Sequence, residues 1–266
     1  MSNNLGVFYT CFTETKAVEY SLKKLFEVYP NIPVYLVSDG GADYEFLKKV
    51  FPDKKIEVRL EEDTRGIIAV IDRSKDLFSV ENKRKMLYSV DVFLDRLERA
   101  INFCDCDYML IMEPDVLVRG KLNIPKDSVY LGNNVNKFFT KNLKRWMKRK
   151  KYLVPKHYGM VPLFSTKHFK KILEKVDKKL LEEIYDQDPH FPYYDKMLTI
   201  LFCLIGIEEK FNPDVTECFR DSDWRNNGKP LIHQFRENYP SKEEHNSQYS
   251  TENSHELTNK FKDNKV

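Results

Sequence analysis

The 266-residue chain carries 44 Lys and Arg against 41 Asp and Glu, for a net charge of +3, with 41% hydrophobic residues. That is an ordinary soluble balance, long enough for one large α/β domain or two small ones, and it excludes a strongly basic nucleic-acid binder. The longest apolar run, Met197 to Ile207, is too short for a membrane span.

Leu5 to Phe12 predicts a first strand, with Met1 to Asn4 leading directly into it and no signal peptide. Apolar residues at Ala17, Val18, Leu22, Leu25 and Phe26 predict a helix over Thr13 to Tyr29. Val34 to Val37 is a second strand, ending in Ser38-Asp39-Gly40-Gly41 and followed by a helix from Ala42 to Phe51. Ile56 to Leu60 is a third strand, and Gly66 to Ile71 reads equally as strand or buried helical turn. From Ser79 the apolar positions Met86, Leu87, Val90, Phe93, Leu94, Leu97 and Ile101 mark a long amphipathic helix. This alternation implies a mainly parallel sheet flanked by helices. Cys104 and Cys106 lack zinc-spaced partners and read as helix-end packing. With five cysteines, an odd number, the chain is expected to keep free thiols in a reducing, cytoplasmic setting.

The helix delivers the chain to Tyr108-Met109-Leu110-Ile111-Met112, a run apolar enough for a strand buried on both faces. It stops at Glu113-Pro114-Asp115. In an extended backbone both carboxylates point one way, a hard-oxygen site for Mg²⁺ or Mn²⁺; the plain alternative is an acidic turn. Ser128 to Gly132 predicts another strand. Lys141 to Lys156 is basic, a solvated helix face or a contact with an anionic surface. His157 to Phe169 leads into a helix capped by Ser165 or Thr166. An acidic segment holding Asp188 and Asp195 precedes the apolar helix from Met197, and Asp195 reads either as its cap or as a functional carboxylate. Residues 240–266 are polar, poor in core formers, and expected to be a disordered tail.

The Glu113-x-Asp115 pair on a buried strand resembles the Asp-x-Asp motif of GT-A glycosyltransferases, with Glu in the first acidic place. The order of Asp loop, basic helix start, acidic pair, acidic helix start and late His is similar to that family over about Leu5 to Arg236. The resemblance implies a single GT-A domain, 1–239, with a nucleotide-binding half over about 1–120 and an acceptor half over 121–239. It implies transfer of a sugar from a nucleoside diphosphate sugar, UDP being commonest, to a hydroxyl of a glycan or glycoprotein. Glu113, Asp115 and His233 would hold Mn²⁺ or Mg²⁺. Thr10, Asp39, Asn82, Lys83, Arg84 and Arg236 would meet the nucleotide, and Trp146, His157 and Tyr158 the acceptor. Asp195, with Asp188 in reserve, would act as catalytic carboxylate. Two alternatives stay open: a sugar-phosphate nucleotidyltransferase, and a degenerate nucleotide- or glycan-binding domain.

Overall fold

The computed structural model describes residues 4–61, 79–124, 130–135, 139–156, 158–217 and 226–233. The Gly66 to Ile71 segment and the 240–266 tail lie outside these. The chain opens as β1 (Leu5–Cys11), α1 (Thr15–Val28), β2 (Val34–Asp39), α2 (Leu47–Val50) and β3 (Ile56–Glu61). It continues with α3 (Val80–Cys104), β4 (Tyr108–Met112), β5 (Val116–Val118), β6 (Tyr130–Val135), α4 (Lys141–Arg149) and β7 (Tyr158–Ser165). The rest is α5 (Thr166–Lys175), α6 (Lys178–Gln187), α7 (Tyr194–Leu204), β8 (Lys210–Phe211), β9 (Val215–Glu217) and β10 (Leu231–His233).

Seven strands form the main sheet in the order β3-β2-β1-β4-β7-β6-β8, and β5, β10 and β9 form a second, small one. Strands β3, β2, β1 and β4 run parallel, and β7 is reversed against both β4 and β6. This is the mixed α/β architecture expected from the alternating elements.

β4 shows why its run is unbroken by polar residues. Met109 and Ile111 face a core shared with Met86, Val90 and Leu97 of α3, whereas Leu110 and Met112 face one shared with Val18, Leu22 and Leu25 of α1. With both faces covered, every position must be apolar. α3 begins where Ser79 accepts the Asn82 N–H at 3.2 Å, a standard N-cap.

One local expectation is corrected, and another is met in position only. The helix over 42–51 shrinks to the four residues of α2, because Ala42 N–H and the buried Tyr44 hydroxyl both donate to the Phe12 carbonyl, at 2.7 and 3.1 Å. Those bonds hold the segment as a loop. Ser165 occupies the cap position of α5 without a side-chain cap bond, and the Thr166 hydroxyl instead donates to the Cys106 carbonyl at 2.6 Å. Cys104 and Cys106 pack against Gly6, where an added Cβ would come within 2.7 Å of each. No helix among the described residues is long and apolar enough to cross a membrane.

Glu209, just before β8, is 6% exposed, and neither of its carboxylate oxygens has a hydrogen-bond partner among the described residues. Burial, reinforced by Glu208, pushes its pKa from the ordinary 4.5 up to about 7. The folded-state value lies above the unfolded one, so the contribution of Glu209 to stability is fully present below pH 4.5 and is lost as pH rises through about 7. The loss approaches about 3 kcal/mol. Glu209→Gln is therefore expected to raise the melting temperature by several degrees at pH 8 and to change it little at pH 4. Thermal unfolding at the two pH values checks this.

Candidate functional site

Parallel strands β1, β2 and β4 end at one edge of the sheet, where ligands of open α/β sheets bind. A cavity of about 250 Å³ opens there, lined in part by Thr10, Phe12, Asp39, Arg96, Glu113 and Tyr194. The loops after β1 and β2 are stitched together at its rim. Gly40 adopts φ +70°, and a Cβ on Gly41 would lie 2.1 Å from the Phe12 carbonyl oxygen. Gly41 is thus needed for the close approach of two loops of this chain.

Glu113 and Asp115 converge by a route other than strand alternation. Pro114 and Asp115 form a turn closed by the Val116 N–H donating to the Glu113 carbonyl at 2.9 Å. This turn carries the chain out of the main sheet and into β5. β10 pairs antiparallel with β5, and His233 stands opposite Val116, one residue from Asp115. The small sheet thereby brings a residue 118 positions later to the acidic turn. One ligand atom from each of Glu113, Asp115 and His233 lies within 4.8 Å of the other two. Two carboxylates and an imidazole are a donor set suited to Mn²⁺ or Mg²⁺. The Tyr194 hydroxyl bonds to Glu113; burial, then Asp195, Glu113 and Asp115, push its pKa well up, so the phenol stays protonated beside them.

Asp39 is 5% exposed and accepts from Arg96 Nη1 at 3.0 Å. Arg96 also donates through Nε to Glu61 at 2.7 Å, and Arg99 grips Glu61 through two nitrogens at 2.7 and 3.1 Å. Burial alone would raise the Glu61 pKa, but Arg99 and Arg96 hold it below the usual carboxylate value. α3 thus supplies two guanidinium groups to acids at the ends of β2 and β3. Sequence reading missed Arg96, Arg99, Glu61 and Tyr194.

The other candidates scatter. Asn82, Lys83 and Arg84 do not line the cavity: Asn82 is buried in the first turn of α3, Lys83 pairs with Asp186 at 2.5 Å, and Arg84 is exposed. Asp195 sits in the first turn of α7, and Tyr193, two residues earlier, holds the cap position. Asp188 is wholly buried against Lys196, at 2.7 Å, rather than facing the cavity. Trp146, expected to meet the acceptor, is instead 5% exposed with its ring against Tyr152. The amphipathic period of α4 turns its apolar residues, the indole included, into the core. Tyr158 opens β7, and His157 and Arg236 lie outside the described residues.

No family model matches the sequence, and no curated protein matches it. Solved structures do. An active-site mutant of LgtC aligns over 96% of this chain and 95% of that one, at 12% identity and TM-score 0.53. The galactosyltransferase LgtC in complex with donor and acceptor sugar analogues covers the same shares at 14% identity and TM-score 0.49. Core-mannan synthase A from Aspergillus fumigatus, in an Mn/GDP form, aligns over 76% of this chain and 70% of that one, at 14% identity and TM-score 0.47. At such identity the likeness is one of fold, and the fold of this chain is that of the GT-A glycosyltransferases.

Proposed function

We propose that the protein is a metal-dependent glycosyltransferase, moving a sugar from a nucleoside diphosphate sugar, UDP in the first instance, to a hydroxyl of a glycan or other acceptor. The observation that supports this reading is the clustering of Glu113, Asp115 and His233 at the sheet edge, with Glu113 shared by the cavity that holds Thr10 and Asp39. Glu113, Asp115 and His233 would hold Mn²⁺ or Mg²⁺, which offsets the negative charge gathering on a departing diphosphate. Asp39, fixed by Arg96, offers its carboxylate to donors on the base or ribose. Incubating the protein with Mn²⁺ and UDP- or GDP-sugars and assaying free nucleoside diphosphate tests the proposal. Pyrophosphate release from sugar phosphate and a nucleoside triphosphate would point to nucleotidyl transfer instead.

Two substitutions probe the roles separately. Asp39→Ala leaves Arg96 paired with Glu61, so the fold should persist. Loss of a charge-assisted hydrogen bond should then weaken nucleoside diphosphate binding roughly ten- to a hundredfold, as read by calorimetry with Mn²⁺ present. Unchanged affinity would return Asp39 to a purely structural part. For Asp195 we propose removal of the acceptor proton in an inverting transfer. Because the cap position belongs to Tyr193, Asp195→Asn should leave melting temperature and donor binding alone while transfer to acceptor drops by about two orders of magnitude. Transfer at the wild-type rate would end that assignment.

A further inference from the structure

We propose that the outer face of α4 and the turn after it form a docking surface for an anionic lipid bilayer. Between Lys141 and Lys156 the chain carries eight Lys or Arg and no Asp or Glu. Leu143, Trp146 and Met147 are buried, so the helix turns its apolar stripe inward and its cationic residues outward. Arg145, Lys148, Arg149, Lys150 and Lys151 are all exposed. Glu183 engages Lys150 at 3.0 Å, but Lys148, Arg149 and Lys151 have no acidic partner in ion-pair distance among the described residues. Lys175, at the end of α5, lies 5.0 Å over the Tyr152 ring and donates to the Leu204 carbonyl, so its ammonium covers that ring.

No residue of α4 lines the cavity, so this charge serves neither the donor nor the metal cluster. Two anionic polymers compete for it, and the side chains favour lipid. Single-stranded nucleic acid is held by cations interleaved with open aromatic faces. Here Trp146 is buried and Tyr152 is covered by Lys175. The exposed apolar side chain is instead Leu153, 41% exposed, directly after the cationic run. A cluster of cations on an outward helix face is attracted to an acidic membrane surface, and an exposed aliphatic residue beside it adds apolar contact. Attraction of this kind falls off within a Debye length and is screened by salt.

The full chain should float with phosphatidylcholine–phosphatidylserine vesicles at low salt, stay in solution with pure phosphatidylcholine, and dissociate at high salt. Lys148→Gln, Arg149→Gln and Lys151→Gln together should lower the partition constant on the order of a hundredfold, at about one Lys or Arg contribution each. These side chains are exposed, so the melting temperature and donor turnover in solution should not move. Leu153→Ser should weaken partition further, by a severalfold factor. Absence of flotation with the acidic vesicles overturns the proposal, as does partition insensitive to the triple substitution. So does tight binding of a single-stranded oligonucleotide that the triple substitution removes while vesicle binding persists.

Discussion

Asp115→Asn is expected to abolish divalent-ion-dependent donor turnover while leaving the protein folded. Asp115 is 8% exposed and sits in the turn that joins the main sheet to the small one, within 4.8 Å of ligand atoms of Glu113 and His233. Asn has nearly the same shape, so the turn and the β5–β10 ladder should survive. A neutral amide, however, is a far poorer ligand for a hard cation than a carboxylate. Losing the several kcal/mol of charge stabilisation that such an ion provides corresponds to a fall of roughly three orders of magnitude in rate. Release of nucleoside diphosphate across a Mn²⁺ series measures it, and Mn²⁺ binding by calorimetry supplies a readout independent of turnover. Full activity of the variant, or of the wild type in excess EDTA, would end the metal assignment. Glu113→Gln makes the comparison informative, because Glu113 also bonds the Tyr194 hydroxyl. If turnover survives there but not in Asp115→Asn, Glu113 acts by positioning Asp115 and Tyr194.

The parts of this architecture legible in the sequence are those whose cause is local. β1, β2 and β4 were visible because a strand covered on both faces must be apolar throughout, and α3 because its apolar residues recur at helical spacing. Glu113 and Asp115 were visible because acids that end such a run stand out. The reason for their convergence was not: an extended pair and a tight turn place residues i and i+2 similarly, and only the Val116 N–H bond to the Glu113 carbonyl distinguishes them. Arg96 was hidden for a different reason. On a helix with an apolar stripe it reads as a solvated residue, yet it is 4% exposed because its acids arrive from 57 and 35 residues away. Nothing near position 96 announces that pairing. Trp146 illustrates the converse error, since a tryptophan among lysines suggests an exposed platform until the helical period assigns it to the buried stripe. His233 became a credible ligand only through the ladder that sets it opposite Val116.

The pair Asp188–Lys196 is expected to carry a large stability effect, and it separates a structural from a catalytic Asp188. The Asp188 side chain is wholly buried, and its oxygens are occupied. Oδ1 accepts from Lys196 Nζ at 2.8 Å and from the His190 N–H at 3.2 Å. Oδ2 lies 2.7 Å from the same Nζ and accepts the Thr140 N–H at 3.1 Å. Burial pulls the Lys196 pKa down and Asp188 holds it partly up. The pair thus ties the start of α7 to the cap of α4. Lys196→Met would leave a carboxylate buried without its counter-charge, which costs about 3–5 kcal/mol. For a chain of this size that is a fall on the order of 10 °C in melting temperature. Asp188→Asn combined with Lys196→Met removes both charges and keeps an acceptor for the Thr140 or His190 N–H. Most of the lost stability should return, since replacing a buried ion pair whole is often close to neutral. Thermal unfolding of the three proteins, with donor turnover measured on each, decides the matter. A stable, active double variant makes Asp188 an anchor between α4 and α7. A double variant that regains stability but not turnover would make Asp188 a participant in the chemistry after all.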